Sequence, residues 1–201
     1  MNATPSRGKD WQYGGVRVLF GLLALMWLVE IVDSLDNHQL DQYGIEPRDT
    51  DGLIGVVAAP FLHVSFAHLI SNTIPFVVMG IVIALQGVKR LLAVTAIVAL
   101  VSGLGVWLIA PANTLHIGAS GVVFGYATYL LARGFFNRDW LEIAVGLIVG
   151  AIWGTALLGG LQPQQGISWQ GHLFGAIGGV LAAYWLARSP EERARAATAS
   201  A

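Results

Sequence analysis

The sequence predicts an all-α fold, a polytopic membrane bundle of six transmembrane helices. Of the 201 residues, 55% are hydrophobic and only 11% are charged, whereas soluble domains carry roughly 25% charged residues. The mean hydropathy is +0.65, and the apolar residues are collected into six separate stretches. Cysteine is absent, which excludes disulfides, thiolate metal sites and a cysteine nucleophile.

The apolar stretches form one membrane domain, residues 16–187, between polar segments at 1–15 and 188–201. The first stretch ends in acidic residues without a small-residue cleavage site, so we interpret it as a retained span and not as a signal peptide. The second contains Pro75, which predicts a kink. The expected spans are 16–32, 66–85, 91–109, 120–132, 140–160 and 172–187.

Two apolar segments are shorter than the ~20 residues that a helix needs to cross a bilayer. One is the fourth span, 120–132, and we expect protein or water to cover the irregular backbone that precedes it. The other is the segment 53–61, which contains Pro60 and follows an acidic loop at 33–53. We expect this segment to lie at the membrane interface without crossing.

The distribution of basic residues predicts the orientation. Of the 11 Lys and Arg residues, all except Arg48 fall in segments on the same side of the six predicted spans. Because Lys and Arg are enriched in cytoplasmic segments, both 1–15 and 188–201 are expected in the cytoplasm. The helices that start near Ser120 and His172 then both begin at the outer face.

Ser120 and His172 are the candidate catalytic pair. A serine hydroxyl is a weak nucleophile unless a base within hydrogen-bond reach takes its proton, and a neutral imidazole can do so near neutral pH. Ionisable groups inside a membrane are costly and indicate function by default. Taken singly, Ser120 is equally well explained as a small packing residue, and His172 as a helix cap.

Small residues follow both candidates at helical spacing. Gly121 and Gly125 lie on the fourth span, and Gly175 and Gly179 lie on the sixth. Such faces let helix backbones approach closely in lipid, which would bring the hydroxyl near the imidazole. Packing without catalysis would explain the same pattern.

No carboxylate lies near the outer ends of the fourth and sixth spans, so the residues predict a Ser–His dyad and not a triad. Phe124 is four residues after Ser120 and therefore on the same helix face. Its ring is the candidate for holding the imidazole of His172 by packing. The alternative is that Phe124 is ordinary core or lipid-facing bulk.

His68 and Asn72 are the candidate oxyanion donors, because they share one face of the second span. The third candidate is the Ser120 amide, since the first N–H groups of a helix have no partner within it. The alternatives are a histidine bonded to a carbonyl and an interhelical asparagine bond. His63 is expected to brace the segment before the second span, and His38 to be solvated. The sequence assigns no role to His116.

Three motifs in this order resemble the rhomboid intramembrane serine proteases over residues 53–187. They are His63-Val-Ser-Phe-Ala-His68-Leu-Ile-Ser-Asn72, Gly118-Ala119-Ser120-Gly121, and Gly171-His172-Leu-Phe-Gly175-Ala-Ile-Gly178-Gly179. The resemblance implies the six-helix rhomboid fold with Ser120 as nucleophile and His172 as general base. It also implies an oxyanion hole formed by His68, Asn72 and the amide of Ser120.

The resemblance further implies cleavage of single-span membrane proteins near the outer end of the span, through an acyl-enzyme and without a cofactor, a metal or nucleic acid. The absence of a seventh span suggests the basic bacterial form, located in the bacterial inner membrane. Many members have Tyr where this chain has Phe124, and the first loop lacks the Trp-Arg pair of many members. The sequence does not indicate an oligomeric state.

Two other functions fit parts of the sequence. His63, His68 and His172 could hold a catalytic zinc ion, since three histidines and a water are a known zinc pattern. No carboxylate is placed to assist such an ion, and Ser120 would be idle. The other alternative is an inactive rhomboid-like adaptor that binds clients, although such proteins lack the Ser or the His. A transporter is disfavoured because the two halves show no repeat.

Overall fold

The computed structural model describes residues 7–189 and 191–192. Within these residues the chain is all-helical, with seven α-helices and no β-sheet. They are α1 (Arg7–Leu35), α2 (Gly55–Ala58), α3 (Phe66–Ala84), α4 (Val88–Ile109), α5 (Ser120–Asn137), α6 (Trp140–Gly160) and α7 (Trp169–Trp185). Residues 1–6 of the predicted amino-terminal segment, and residues 190 and 193–201 of the predicted tail, lie outside the described residues.

Four helices of the described chain are long and apolar enough to cross a membrane: Tyr13–Leu35 within α1, and α3, α4 and α6. The other two expected spans correspond to α5 and α7, with 18 and 17 residues, and neither belongs to this set. α5 packs against α3, α4, α6 and α7. A helix enclosed by other helices uses small and polar residues at its contacts, which lowers its hydropathy.

Several helix boundaries differ from the prediction. α1 begins at Arg7 and not at residue 16, and α3 continues through Pro75 without a break. α5 extends to Asn137, five residues beyond the expected end at 132. The extension is stabilised because Arg133 forms an ion pair with Glu142, and the Asn137 amide donates to the same carboxylate at 2.7 Å.

The segment 51–61 consists of three short helical turns, Asp51–Ile54, α2 and Ala59–Phe61. It packs on α4, where a side chain on Gly103 would meet Val56 at 2.9 Å. The loop before it is fastened to the end of α4. Arg48 donates to the carbonyl of Ala110 at 2.8 Å, and the Trp107 indole donates to the carbonyl of Asp49 at 2.7 Å.

The bundle has two distinct ends. At one end, the site end, lie the carboxyl ends of α1, α4 and α6 and the starts of α3, α5 and α7. At the opposite end, α5, α6 and the residues after α7 are joined by ion pairs. Arg188 pairs with Asp139 and with Glu142, each at 2.9 Å. Every carboxylate of this network therefore faces a guanidinium.

Candidate active site

Ser120 is the first residue of α5, directly after a turn that only glycine fits well. Gly118 has φ +116°, and a side chain there would meet Cε1 of His68 at 2.6 Å. Both the left-handed backbone and the adjacent ring therefore favour glycine. The Gly118 amide donates to the carbonyl of Ala59 at 2.8 Å, which fixes the turn on the segment 51–61.

His172 lies in the first turn of α7 and is buried, with 7% of its surface exposed. Ser168 caps this helix, since its hydroxyl accepts the amide of Gly171 at 3.3 Å. Nε2 of His172 lies 2.8 Å from Oγ of Ser120. Nδ1 lies 2.7 Å from the carbonyl oxygen of Gly160, the last residue of α6.

The Gly160 carbonyl determines the tautomer of His172, because a carbonyl oxygen only accepts hydrogen bonds. Nδ1 must carry the proton and donate it to Gly160. Nε2 therefore presents a lone pair, and the Ser120 hydroxyl donates to it. A backbone carbonyl here occupies the place that a carboxylate takes in a catalytic triad, and nothing in the side-chain sequence indicated it.

Phe124 stacks on the imidazole. The ring centroids of Phe124 and His172 are 4.1 Å apart and the planes differ by 8°. The structure thus places Phe124 where the sequence suggested, on the same face of α5 as Ser120. The stacking contact on one face and the two hydrogen bonds in the ring plane hold the imidazole in this orientation.

The glycine faces of α5 and α7 bring the backbones of the two helices into contact. A Cβ on Gly175 would overlap the carbonyl of Gly121, and a Cβ on Gly179 would overlap the carbonyl of Gly125. Ser102 on α4 completes this contact, since its hydroxyl donates to the carbonyl of Gly171 at 2.8 Å. Ser102 was not singled out from the sequence.

His68, Asn72 and His63 lie on the α3 side of Ser120. The ring of His68 lies against Gly118, and the Asn72 amide donates to the carbonyl of His68 at 3.1 Å. No hydrogen bond involves the Ser120 amide within the described chain. Within the described chain, the Asn72 side chain forms no hydrogen bond with Ser120.

His63 supports the turn that carries Ser120. His63 is fully buried. Its Nε2 accepts a hydrogen bond from the amide of Ala119 at 3.4 Å. Burial, and then the neighbouring His68, lower the pKa of His63 to about 4, so His63 is neutral and able to accept. This hydrogen bond joins His63 to the chain before α5, whereas the sequence predicts bracing of the segment before α3.

His116, for which the sequence predicts no role, links the loop before α5 to the start of α7. The Thr114 hydroxyl donates its one proton to the carbonyl of Pro111 at 2.6 Å. It can therefore only accept from Nε2 of His116, which lies 2.8 Å away. Nδ1 then accepts from Ser168 at 2.8 Å. The same hydroxyl caps α7, so His116 helps to position the helix that carries His172.

Among the cavities at this end of the bundle are two that share part of their walls. The larger, of about 720 Å³, is lined by His68, His116 and Trp169 among others. The smaller, of about 30 Å³, is lined by Ser120, and both include His116, Ile117 and Ser168 in their walls. A cavity of this smaller size has room for one water molecule, so water can be accommodated beside the serine.

The three-histidine zinc site is not formed. Within the described part of the chain, the only set of three metal-ligating side chains with ligand atoms within 4.8 Å of one another is Asp33, His38 and Asp41. Both ring nitrogens of His172 are already bonded, to Ser120 and to Gly160. His63, His68 and His172 therefore do not converge on one point.

The arrangement agrees with a comparison to known protein families, in which the model of the rhomboid domain matches residues 50–189. The chain belongs to the rhomboid family. The match includes Ser120, His172 and the candidate oxyanion donors. The first span, within α1, precedes the matched residues.

Relatives of this rhomboid domain protein occur in bacteria and plants. An uncharacterised protein of Mycobacterium tuberculosis is 46% identical over 194 residues, which is 92% of this chain and 80% of the relative. A Bacillus subtilis protein named as a candidate rhomboid protease is 28% identical over 66% of each chain. The chloroplastic rhomboid-like protein 11 of Arabidopsis thaliana is 29% identical, over 67% of this chain and 52% of its own.

Proposed function

We propose that this rhomboid protein is an intramembrane serine endopeptidase that cleaves the transmembrane segments of single-span membrane proteins near the outer face. One observation carries the proposal: Nε2 of His172 lies 2.8 Å from Oγ of Ser120, while Nδ1 is bonded to the Gly160 carbonyl. A nucleophile, its base and a group that orients the base are the parts that nucleophilic catalysis requires.

Ser120 would attack the scissile carbonyl while its proton passes to Nε2 of His172. The proton then goes to the leaving amine, which releases the first product and leaves an acyl-enzyme on Ser120. A water molecule, admitted through the cavities beside Ser120, is deprotonated by His172 and attacks the ester. Loss of the second product restores the serine hydroxyl, so the chemistry needs no cofactor and no metal.

The oxyanion of the tetrahedral intermediate would be stabilised by the Ser120 amide, His68 and Asn72. The amide is suited to this because it lies at the start of α5 and has no partner within the described chain. His68 and Asn72 come from one face of α3, and the His68 ring is already beside Gly118. One good oxyanion donor contributes roughly 3–4 kcal/mol to the transition state.

We further propose that α5 and α7 complete a six-span domain with both termini in the cytoplasm of a bacterial cell. The basic residues support this orientation, since Lys89, Arg90, Arg133 and Arg188 all lie at the end opposite the site. α5 and α7 are short because surrounding helices and loops cover their ends. The lipid bilayer then surrounds α1, α3, α4 and α6.

The decisive experiment combines labelling and cleavage by the full-length protein in proteoliposomes. A fluorophosphonate probe should form one adduct, which mass mapping would locate on Ser120, and His172→Ala should prevent it. Ser120→Ala and His172→Ala should each abolish cleavage of a model single-span substrate while the protein remains folded.

Wild-type turnover by Ser120→Ala would reject the serine mechanism. Binding of membrane clients without labelling or cleavage would instead identify an adaptor. Inhibition by a chelator with recovery on addition of zinc would favour the zinc hydrolase, which the spacing of the histidines disfavours.

A further inference from the structure

A second cluster of ionisable side chains lies at the site end, where α1 ends and the first loop begins. It contains Asp33, His38 and Asp41. Nδ1 of His38 is 3.3 Å from Oδ2 of Asp33 and 3.8 Å from Oδ2 of Asp41. One ligand atom from each residue lies within 4.8 Å of the other two, which is the spacing of donors around one metal ion.

Glu30 adds a buried carboxylate to this cluster. It lies three residues before Asp33 on α1 and therefore on the same helix face. Its residue has 0% exposed surface, and neither carboxylate oxygen has a hydrogen-bond partner. It lies within electrostatic range of Asp33, His38 and Asp41, so its carboxyl group is close to the cluster. A buried carboxylate without a partner is costly and requires a compensating cation or proton.

Protein side chains do not supply that cation. Within the described residues no Lys or Arg forms an ion pair with Glu30, Asp33 or Asp41, and the basic side chain that pairs with Asp33 and Asp41 is His38. One oxygen of Asp41 is also buried without a hydrogen bond. Three carboxyl groups therefore share one imidazole, and two of them, those of Glu30 and Asp33, are buried.

The backbone holds the donors in position. Oδ1 of Asp33 accepts the amide of Leu40 at 2.6 Å, which leaves Oδ2 turned toward His38. The His38 amide donates to the carbonyl of Asp33 at 2.8 Å, and His38 itself has φ 59°. Asn and His adopt this left-handed conformation more readily than most residues. The turn from 33 to 41 thus closes on itself and brings the three side chains together, with Asp33 buried and His38 exposed.

We propose that Asp33, His38 and Asp41, with the buried carboxylate of Glu30 beneath them, bind a divalent first-row transition-metal ion such as Mn²⁺ or Zn²⁺. One imidazole nitrogen together with carboxylate oxygens suits these ions, whereas Ca²⁺ and Mg²⁺ prefer oxygen ligands alone. The ion would compensate Glu30 and fasten the end of α1 to the loop that follows. The proposal is independent of the protease function.

Binding is tested with the full-length protein in detergent by titration with MnCl₂, following the electron paramagnetic resonance signal of free Mn²⁺. One Mn²⁺ should bind per chain, ZnCl₂ should displace it, and an equal concentration of CaCl₂ should not. His38→Gln and Asp41→Asn should each weaken binding by at least roughly 10-fold, the smaller effect known for partners of metal ligands. Thermal stabilisation by Mn²⁺ should be lost in the same variants.

Asp36→Asn is the matched control, because Asp36 is exposed on the same turn and outside the cluster. This variant should bind Mn²⁺ as the wild type does.

Glu30→Gln should weaken binding and raise the thermal stability of the metal-free protein, since it removes an uncompensated charge. No binding of Mn²⁺ or Zn²⁺ at millimolar concentration would overturn the proposal. Unchanged binding by both His38→Gln and Asp41→Asn would overturn it as well.

Discussion

α6 and α7 both carry glycines at helical spacing, but the two sets have different surroundings. In α7, a Cβ on Gly175 or Gly179 would overlap backbone carbonyls of α5. In α6, the spacing is equally regular at Gly146, Gly150 and Gly154. There the distance from an added Cβ to its nearest neighbour increases along the helix, and nothing lies within 4 Å of a Cβ on Gly154.

The comparison shows what glycine spacing indicates and what it leaves open. The same pattern permits close contact in both helices, but only the partner helix decides whether the contact is made. α7 uses it to place His172 beside Ser120. In α6 the close contact is made near the end opposite the site, where a Cβ on Gly146 would lie 2.8 Å from the carbonyl oxygen of Leu130.

Among the glycine substitutions, Gly175→Ala is expected to have the largest effect on cleavage. The added methyl group would meet the backbone of Gly121, which cannot move aside as a flexible side chain would, so α5 and α7 must separate. Because a displacement of about 1 Å at a catalytic group can cost 10²-fold in rate, we expect cleavage to fall at least that far. Turnover of a model substrate in proteoliposomes measures it.

Gly154→Ala is the matched control for that substitution, since it adds the same methyl group to open space. It should leave turnover at the wild-type value. Equal losses in the two variants would mean that α6 tolerates an added methyl group no better than α7, and the comparison between the helices would fail.

A smaller effect is expected for Gly160→Ala, at the carboxyl end of α6, where the helix contacts the candidate active site. A Cβ there would lie 2.6 Å from Cζ of Phe124 and 3.0 Å from Nδ1 of His172. The ring of Phe124 can shift, but the stacked imidazole would shift with it. We expect kcat to fall roughly 10-fold or more, with little change in KM or in thermal stability. A large fall in stability with normal kcat would show that Gly160 is structural only.

The smallest effects are expected along α6 away from the site, and they should follow the order of available space. Gly146→Ala meets a backbone carbonyl and should destabilise the protein by about 1–3 kcal/mol, as overpacking does. Gly150→Ala meets only the flexible end of Leu131 at 3.2 Å and should cost less. Thermal unfolding in detergent ranks the variants, and the reverse order would contradict the packing described for α6.

The sequence predicts an all-helical chain, and it singles out residues whose side chains the structure brings together at the site end. Ser120, His172 and Phe124 lie together as their spacing suggested, since a 3.6-residue period and small-residue faces determine which residues can meet. α5 ends at Asn137, five residues beyond the predicted end, and Arg133 lies within the helix. Its ion pair with Glu142 joins two different helices, so no local pattern in the sequence indicates it.

The groups that the sequence missed share one physical property: their partners are backbone atoms or distant residues. The Gly160 carbonyl orients His172, yet every residue has a carbonyl and no residue type marks this one. His116 and Ser168 are 52 residues apart. The acidic cluster was treated as a solvated loop, because a sequence does not show that Glu30 becomes fully buried.

The use of a carbonyl beside His172 has a consequence for the electrostatics of catalysis at membrane depth. Removing a carboxylate from water costs on the order of several kcal/mol, whereas a carbonyl carries only a dipole and is easier to bury. During turnover the dipole of Gly160 would point its negative end at the transient imidazolium. The base could then become charged and neutral again without a permanent ion stored within the apolar phase.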